Sequence, residues 1–142
     1  MIWGFIKSDG SRVLVRCSNY MNSTEYISLL QNELIPNYYS DEIFQQYGAP
    51  CHRSKQSITF LEENAINYIC DWPAQSPDLN VIENMWSYVK QKLYLTEFNN
   101  INELWMNFKK EFFEVPNIRN LYASFKTRIN AVLVANGGIT KY

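Results

Sequence analysis

Apolar residues recur along this chain at two spacings, and the switches between them mark the elements. Met1–Phe5 and Arg12–Cys17 are β-rich runs, and Ser8-Asp9-Gly10 between them is a hairpin signal. Asn22-Ser23-Thr24-Glu25 then reads as a helix start. Tyr26, Leu29, Leu30 and Leu34 supply the apolar face of a helix expected to end before Pro36. Ile43–Gln46 has the character of a short buried strand, broken by Gly48-Ala49-Pro50. A helix over Lys55–Asn64, with Ile58 and Leu61 turned inward, precedes a brief strand over Asn67–Cys70.

The most strongly specified stretch follows. Pro73 and Pro77 keep the chain extended and non-helical up to Asn80. Asn80 can accept from the first exposed amides of a helix, and Glu83, three residues on, completes a capping box. Ile82, Met85, Trp86, Val89 and Leu93 share one face at helical spacing, with Glu83, Ser87 and Lys90 on a polar neighbouring side. Ile101, Leu104, Trp105, Phe108 and Phe112 predict a further helix. Ile118, Leu121, Tyr122, Phe125, Ile129, Val132 and Leu133 predict a last one, stopped by Gly137-Gly138.

Two strands, then alternating helices and strands, then helices make an α/β pattern that opens with an antiparallel hairpin. At 142 residues the chain is one domain's worth of sequence, with no repeat, low-complexity segment or linker. A 46% hydrophobic and 15% aromatic content, with five Gly and five Pro, fits a packed globular protein. The net charge of −1 advertises no general affinity for nucleic acid, so DNA handling would need local basic patches. Cys17, Cys51 and Cys70 are too few and scattered for a disulfide framework. They read as reduced thiols, and without a CxxC pair they and His52 make a poor zinc set. Met1–Ile6 lacks a preceding basic region and runs into Lys7, unlike a signal peptide, and no apolar run is long enough to span a membrane. A soluble, intracellular protein is expected.

Three carboxylates, Asp71, Asp78 and Glu83, fall within thirteen residues of the proline-punctuated stretch. Taken alone, Glu83 is a cap residue. The words Trp72-Pro73-Ala74-Gln75-Ser76-Pro77-Asp78-Leu79-Asn80, then Ile82-Glu83-Asn84 and Trp86, closely resemble the last catalytic segment of mariner-superfamily (Tc-type) DNA transposases. Val81 stands where that family usually has Pro. Trp3-Gly4, the run Phe44-Gln45-Gln46-Tyr47-Gly48-Ala49-Pro50-Cys51-His52, and the ending Gly137-Gly138-Ile139-Thr140-Lys141-Tyr142 are similar to the family in the same order.

The resemblance implies a ribonuclease-H-like fold covering residues 1–142 as a single, partial domain. It also implies metal-assisted phosphodiester hydrolysis and strand transfer on DNA, the transposon ends, in the nucleus. In the family an Asp, Asp, Glu/Asp triad binds Mg²⁺ or Mn²⁺, two ions a few Å apart stabilising the attacking and leaving oxygens. Glu83 corresponds to the third acid. Tyr47 stands where the second Asp belongs, and a phenol with a pKa of about 10 is a poor magnesium ligand at neutral pH. The strand bearing the first Asp and the N-terminal DNA-binding helices precede the hairpin in the family and have no counterpart here. One acid does not assemble a two-metal site, so an inactive, degenerate domain is expected.

Asp41 and Glu42 lie about 16–20 Å of extended chain before the lost position, and Asp78 and Asp71 near Glu83 would at best bind one ion weakly. His52 is usual at its place in the family, near the site; a half-buried, hydrogen-bonding histidine is the equal alternative. Lys109, Lys110, Lys126 and Arg128, with Arg119 and Lys141, would form a weak phosphate-contacting face or simply the solvated sides of amphipathic helices. Without its central strand the sheet has open edges. The expected outcomes are closure of the hairpin onto the Ile43 strand, filling by a second chain, or marginal stability. A non-enzymatic interaction module, pairing with intact transposase or another nuclear partner, or with itself, is the competing reading.

Overall fold

The computed structural model describes all residues except 74 and 75, so Ala74 and Gln75 of the proline-rich motif lie outside the described residues. Two compact units emerge: Met1 with Cys17–Gln75, and Ile2–Arg16 with Ser76–Tyr142.

In the first unit, helix α1 (Ser23–Leu29) starts on the expected cap. Asn22 accepts from the Glu25 amide, and the Glu25 carboxylate accepts from the Asn22 amide, a reciprocal box. Pro36 does not end the helix as expected. The turn before it widens into a π-helical segment, Leu30–Leu34, and then tightens into a 3₁₀ turn, Ile35–Asn37. Pro36 has no N–H to return to a carbonyl and its ring crowds the one four residues back, so the helix changes pitch around it. Helix α2 (Lys55–Glu63) starts on Ser54, whose hydroxyl accepts from the Ser57 amide. Tyr26, Leu30, Leu34, Leu61 and Ile66 form the buried apolar set.

The strands expected over Ile43–Gln46 and Asn67–Cys70 shrink to a single parallel bridge, Phe44 to Tyr68. The Phe44 amide donates to Asn67 O at 2.7 Å and the Ile69 amide to Phe44 O at 3.2 Å. The Tyr38 hydroxyl pins the two segments, donating to Glu42 O and accepting from the Asn67 amide. Ile43 is 63% exposed, so the apolar alternation that would extend a parallel ladder is not buried.

The second unit contains the hairpin of β1 (Ile2–Ile6) and β2 (Arg12–Arg16), paired antiparallel with Gly4 opposite Leu14. Its turn is the predicted one: Gly10 takes a φ of +97°, and the Asp9 carboxylate accepts from the Ser11 amide and hydroxyl. No third strand joins this sheet among the described residues, so the expected closure onto the Ile43 segment does not form. One hairpin face meets α3 (Ile82–Leu93) and α4 (Ile101–Glu114). A Cβ at Gly4 would lie 2.7 Å from Val13 O and 3.4 Å from the Trp86 ring, which is why Gly follows Trp3 here. Trp86 stacks on Phe112 at 5.1 Å, over a core of Leu14, Met85, Val89, Phe112, Val115 and Ile118. Arg12 reaches from β2 to the Phe112 and Val115 carbonyls and closes the C-terminal end of α4.

The single last helix expected after Ile118 is two, α5 (Ile118–Ala123) and α6 (Phe125–Val134). Ser124 breaks them, its hydroxyl donating to Leu121 O in competition with the backbone ladder. No helix among the described residues is long and apolar enough to cross a membrane.

Candidate functional site

The two motifs of interest belong to different units, and each has its own chemistry. In the first unit, Tyr47 is 43% exposed. Its carbonyl meets His52 Nδ1, which therefore carries the proton and donates, leaving Nε2 with the lone pair. The imidazole stacks on Tyr26 at 4.2 Å between ring centres. The Tyr26 hydroxyl donates to Gln46 Oε1 at 2.7 Å, and Gln46 Nε2 donates to His52 O at 3.3 Å. Burial lowers the His52 pKa, against a smaller opposing pull from the Tyr47 carbonyl, so the ring is held neutral. Burial likewise drives the Tyr26 phenol far up, which keeps it a donor. His52 is half-buried and hydrogen-bonded, and it locks the loop through the backbone of Tyr47.

In the second unit, two tight turns lead into α3: the Leu79 amide donates to Ser76 O and the Asn80 amide to Pro77 O. Leu79 and Val81 are buried and fix the loop on the core. The capping box predicted for Asn80 and Glu83 does not form. Asn80 Oδ1 meets only the Ile82 amide, at a long 3.4 Å, and no cap bond joins the Glu83 carboxylate to Asn80. The helix begins one residue later than the box requires, with Val81 at the cap position, because the Asn80 amide is already committed to the turn from Pro77. The Glu83 carboxylate has no hydrogen-bond partner among the described residues. It sits in the first turn of α3, where the helix dipole favours negative charge.

Asp78 does not face outward beside Glu83 as a spare ligand. Its Oδ2 accepts from the Thr140 hydroxyl at 3.1 Å and its carbonyl from Arg128 Nη1 at 3.0 Å. Arg128, expected on a solvated face with Lys109, Lys110 and Lys126, is 2% exposed. The three lysines are exposed as expected. Nothing in the local pattern flagged Arg128, since α6 is weakly amphipathic and, apart from Ser124 four residues before it, the groups that meet Arg128 come from Asp78 and Tyr142.

These residues do not fit a two-metal centre. Hard divalent cations take several carboxylate or carbonyl oxygens in octahedral, partly hydrated sites. Asp78 and Glu42 are both engaged, Glu42 accepting from the Tyr39 amide, and position 47, which the resemblance aligns with the second acid, is a phenol. Among the described residues no three His, Cys, Asp or Glu side chains gather as an ion would require. Among the described residues three buried polar atoms, Gln45 Nε2, Trp72 Nε1 and Asn84 Oδ1, lack hydrogen-bond partners, and all three lie within the two motif stretches.

The profile of the DDE superfamily endonucleases matches residues 1–104, well over half of the chain. The chain is 30% identical over 148 aligned positions to the Tcb1 transposase of Caenorhabditis briggsae, with 100% of this chain and 54% of that protein covered. It is 29% identical to the Tc1 transposase of Caenorhabditis elegans over the same shares. The chain thus spans about half the length of the curated relatives it matches. Among solved structures, the catalytic domain of the Mos1 mariner transposase superposes with a TM-score of 0.71 at 16% identity, over 92% of this chain and 70% of that one. The Mos1 catalytic domain solved with raltegravir and Mn gives 0.70 at 17%, over 92% and 71%. That likeness shows a ribonuclease-H-like fold. The chain belongs to the DDE superfamily endonucleases and is a transposase domain of the Tc/mariner type.

Proposed function

We propose that this transposase domain keeps the family's scaffold and third acid, Glu83, but does not perform metal-dependent DNA cleavage, because Tyr47 occupies the second acid position. The observation that carries this is the phenol in an otherwise intact Gln45–His52 loop. The loop's hydrogen bonds run through backbone and through Tyr26, Gln46 and His52, so the loop keeps its form whatever side chain position 47 carries. Weak DNA contact through Lys109, Lys110 and Lys126, and residence in the nucleus, belong to the same reading.

The test is nicking of supercoiled DNA in Mg²⁺ or Mn²⁺ by the chain as it stands and by Tyr47→Asp, with Mn²⁺ affinity measured by calorimetry. The expected result is no nicking by the natural chain and tighter Mn²⁺ binding by Tyr47→Asp. Metal-dependent nicking by the natural chain that disappears in Glu83→Gln would overturn the proposal.

A further inference from the structure

We propose that residues 136–142 form a latch that, through Arg128 as the positioning residue, sets the loop presenting Glu83. The inference does not depend on whether Glu83 binds metal.

The latch is built from four side chains. Residues 136 and 137 reverse the chain after α6, with φ of +49° at Asn136 and +78° at Gly137, and the Gly137 amide returns to Val132 O. The reversal brings Thr140 onto the Asp78 carboxylate and Tyr142 over the Arg128 guanidinium, 4.8 Å from ring centre to Cζ. Arg128 is oriented from behind by Ser124, whose hydroxyl accepts from Nε at 2.9 Å. Its Nη1 then takes the Asp78 carbonyl. Asp78 is a central residue of both overlapping turns of the loop, and its carbonyl is their point of attachment to α6.

Charge burial explains why this arrangement orders rather than merely stabilises. A guanidinium at 2% exposure has lost most of its hydration, and a buried ionic group of this kind contributes little net stability compared with an apolar side chain. What it contributes is geometry. Its planar fork fixes two directions at once, Ser124 behind and Asp78 ahead, and the tyrosine stacked on its face excludes water. An apolar side chain of similar length would fill the space without holding the loop.

Hydrogen exchange of individual amides tests this. The Leu79, Asn80 and Glu83 amides report on the loop, and the Val89 and Phe112 amides report on the core. In Arg128→Met the loop amides should exchange about tenfold faster or more, the effect of losing a charge-assisted bond, while the core amides keep their protection. Thr140→Val should act the same way, and Thr140→Ser should restore the natural rates. Equal loop protection in Arg128→Met and the natural chain would overturn the proposal. So would loss of protection spread evenly over loop and core, since Arg128 would then be a packing residue only. If Arg128→Met fails to fold, the Thr140→Val and Thr140→Ser pair decides the question in the same terms.

Discussion

The Gln45–His52 loop of the first unit and the Ser76–Glu83 loop of the second are held in opposite ways. In the first, Tyr26, Gln46 and His52 lock a loop whose position 47 is a phenol. The second leads into Glu83, and its framework is supplied from far away in sequence, by Arg128 and Thr140. A network that does not run through the side chain at position 47 tolerates replacement of that residue. A loop held by remote side chains depends on the rest of its unit folding first.

Three experiments sharpen that contrast. The largest effect is expected for Tyr26→Phe, which removes the buried donor to Gln46 Oε1 and leaves that acceptor unpaired. The cost should be about 1–3 kcal/mol by chemical denaturation. A change near zero would mean that the loop is not held by this network.

A smaller effect should appear as pH dependence. His52 has a folded pKa below the ordinary value of about 6.5, so the unfolded chain takes up the proton first as pH falls. The stability that comes from its neutral ring is complete above that value and is lost as pH drops towards the folded pKa. The unfolding midpoint should therefore fall on acidification from pH 7 through 6, and His52→Gln should flatten that stretch of the curve. An unchanged slope in the variant would assign the dependence to other groups.

The smallest effect is expected for Glu83→Ala. Loss of a capping-box partner would leave a backbone amide unpaired and cost about 1–3 kcal/mol, whereas a first-turn carboxylate that makes no cap bond loses only its dipole contribution, about 0.3–1 kcal/mol. A thermal shift at the upper end of the first range would restore Glu83 to a capping role and break the comparison.

The elements that could be read from the sequence are those whose signals are local. The Ser8-Asp9-Gly10 turn, the Asn22–Glu25 box, the Ser54 start of α2 and the buried Met85 and Val89 of α3 each need only neighbours within a few residues. The same local logic misled where a competing contact took over. Asn80 is drawn into the turn after Pro77 and so cannot close a box with Glu83. Ser124 turns its hydroxyl onto Leu121 and splits an otherwise continuous helical pattern. Ile43–Gln46 and Asn67–Cys70 have strand-like composition, but a ladder forms only where alternating residues are buried, and only Phe44 and Tyr68 pair.

By itself the sequence determined the family and the chemical content of the site. The motif words, the acid at Glu83 and the phenol at Tyr47 are matters of residue identity and order, which folding does not alter. Tertiary structure decided which polar groups are spent on holding the chain and which remain free. Arg128 and Asp78 are surface charges by pattern and are drawn into a buried contact because groups some fifty and sixty residues apart converge on one loop. Glu83, a cap by pattern, has no hydrogen-bond partner among the described residues because the Asn80 amide was claimed by a turn. The energies involved are about 1 kcal/mol per contact, too small for local sequence to encode and large enough for the packed fold to choose among.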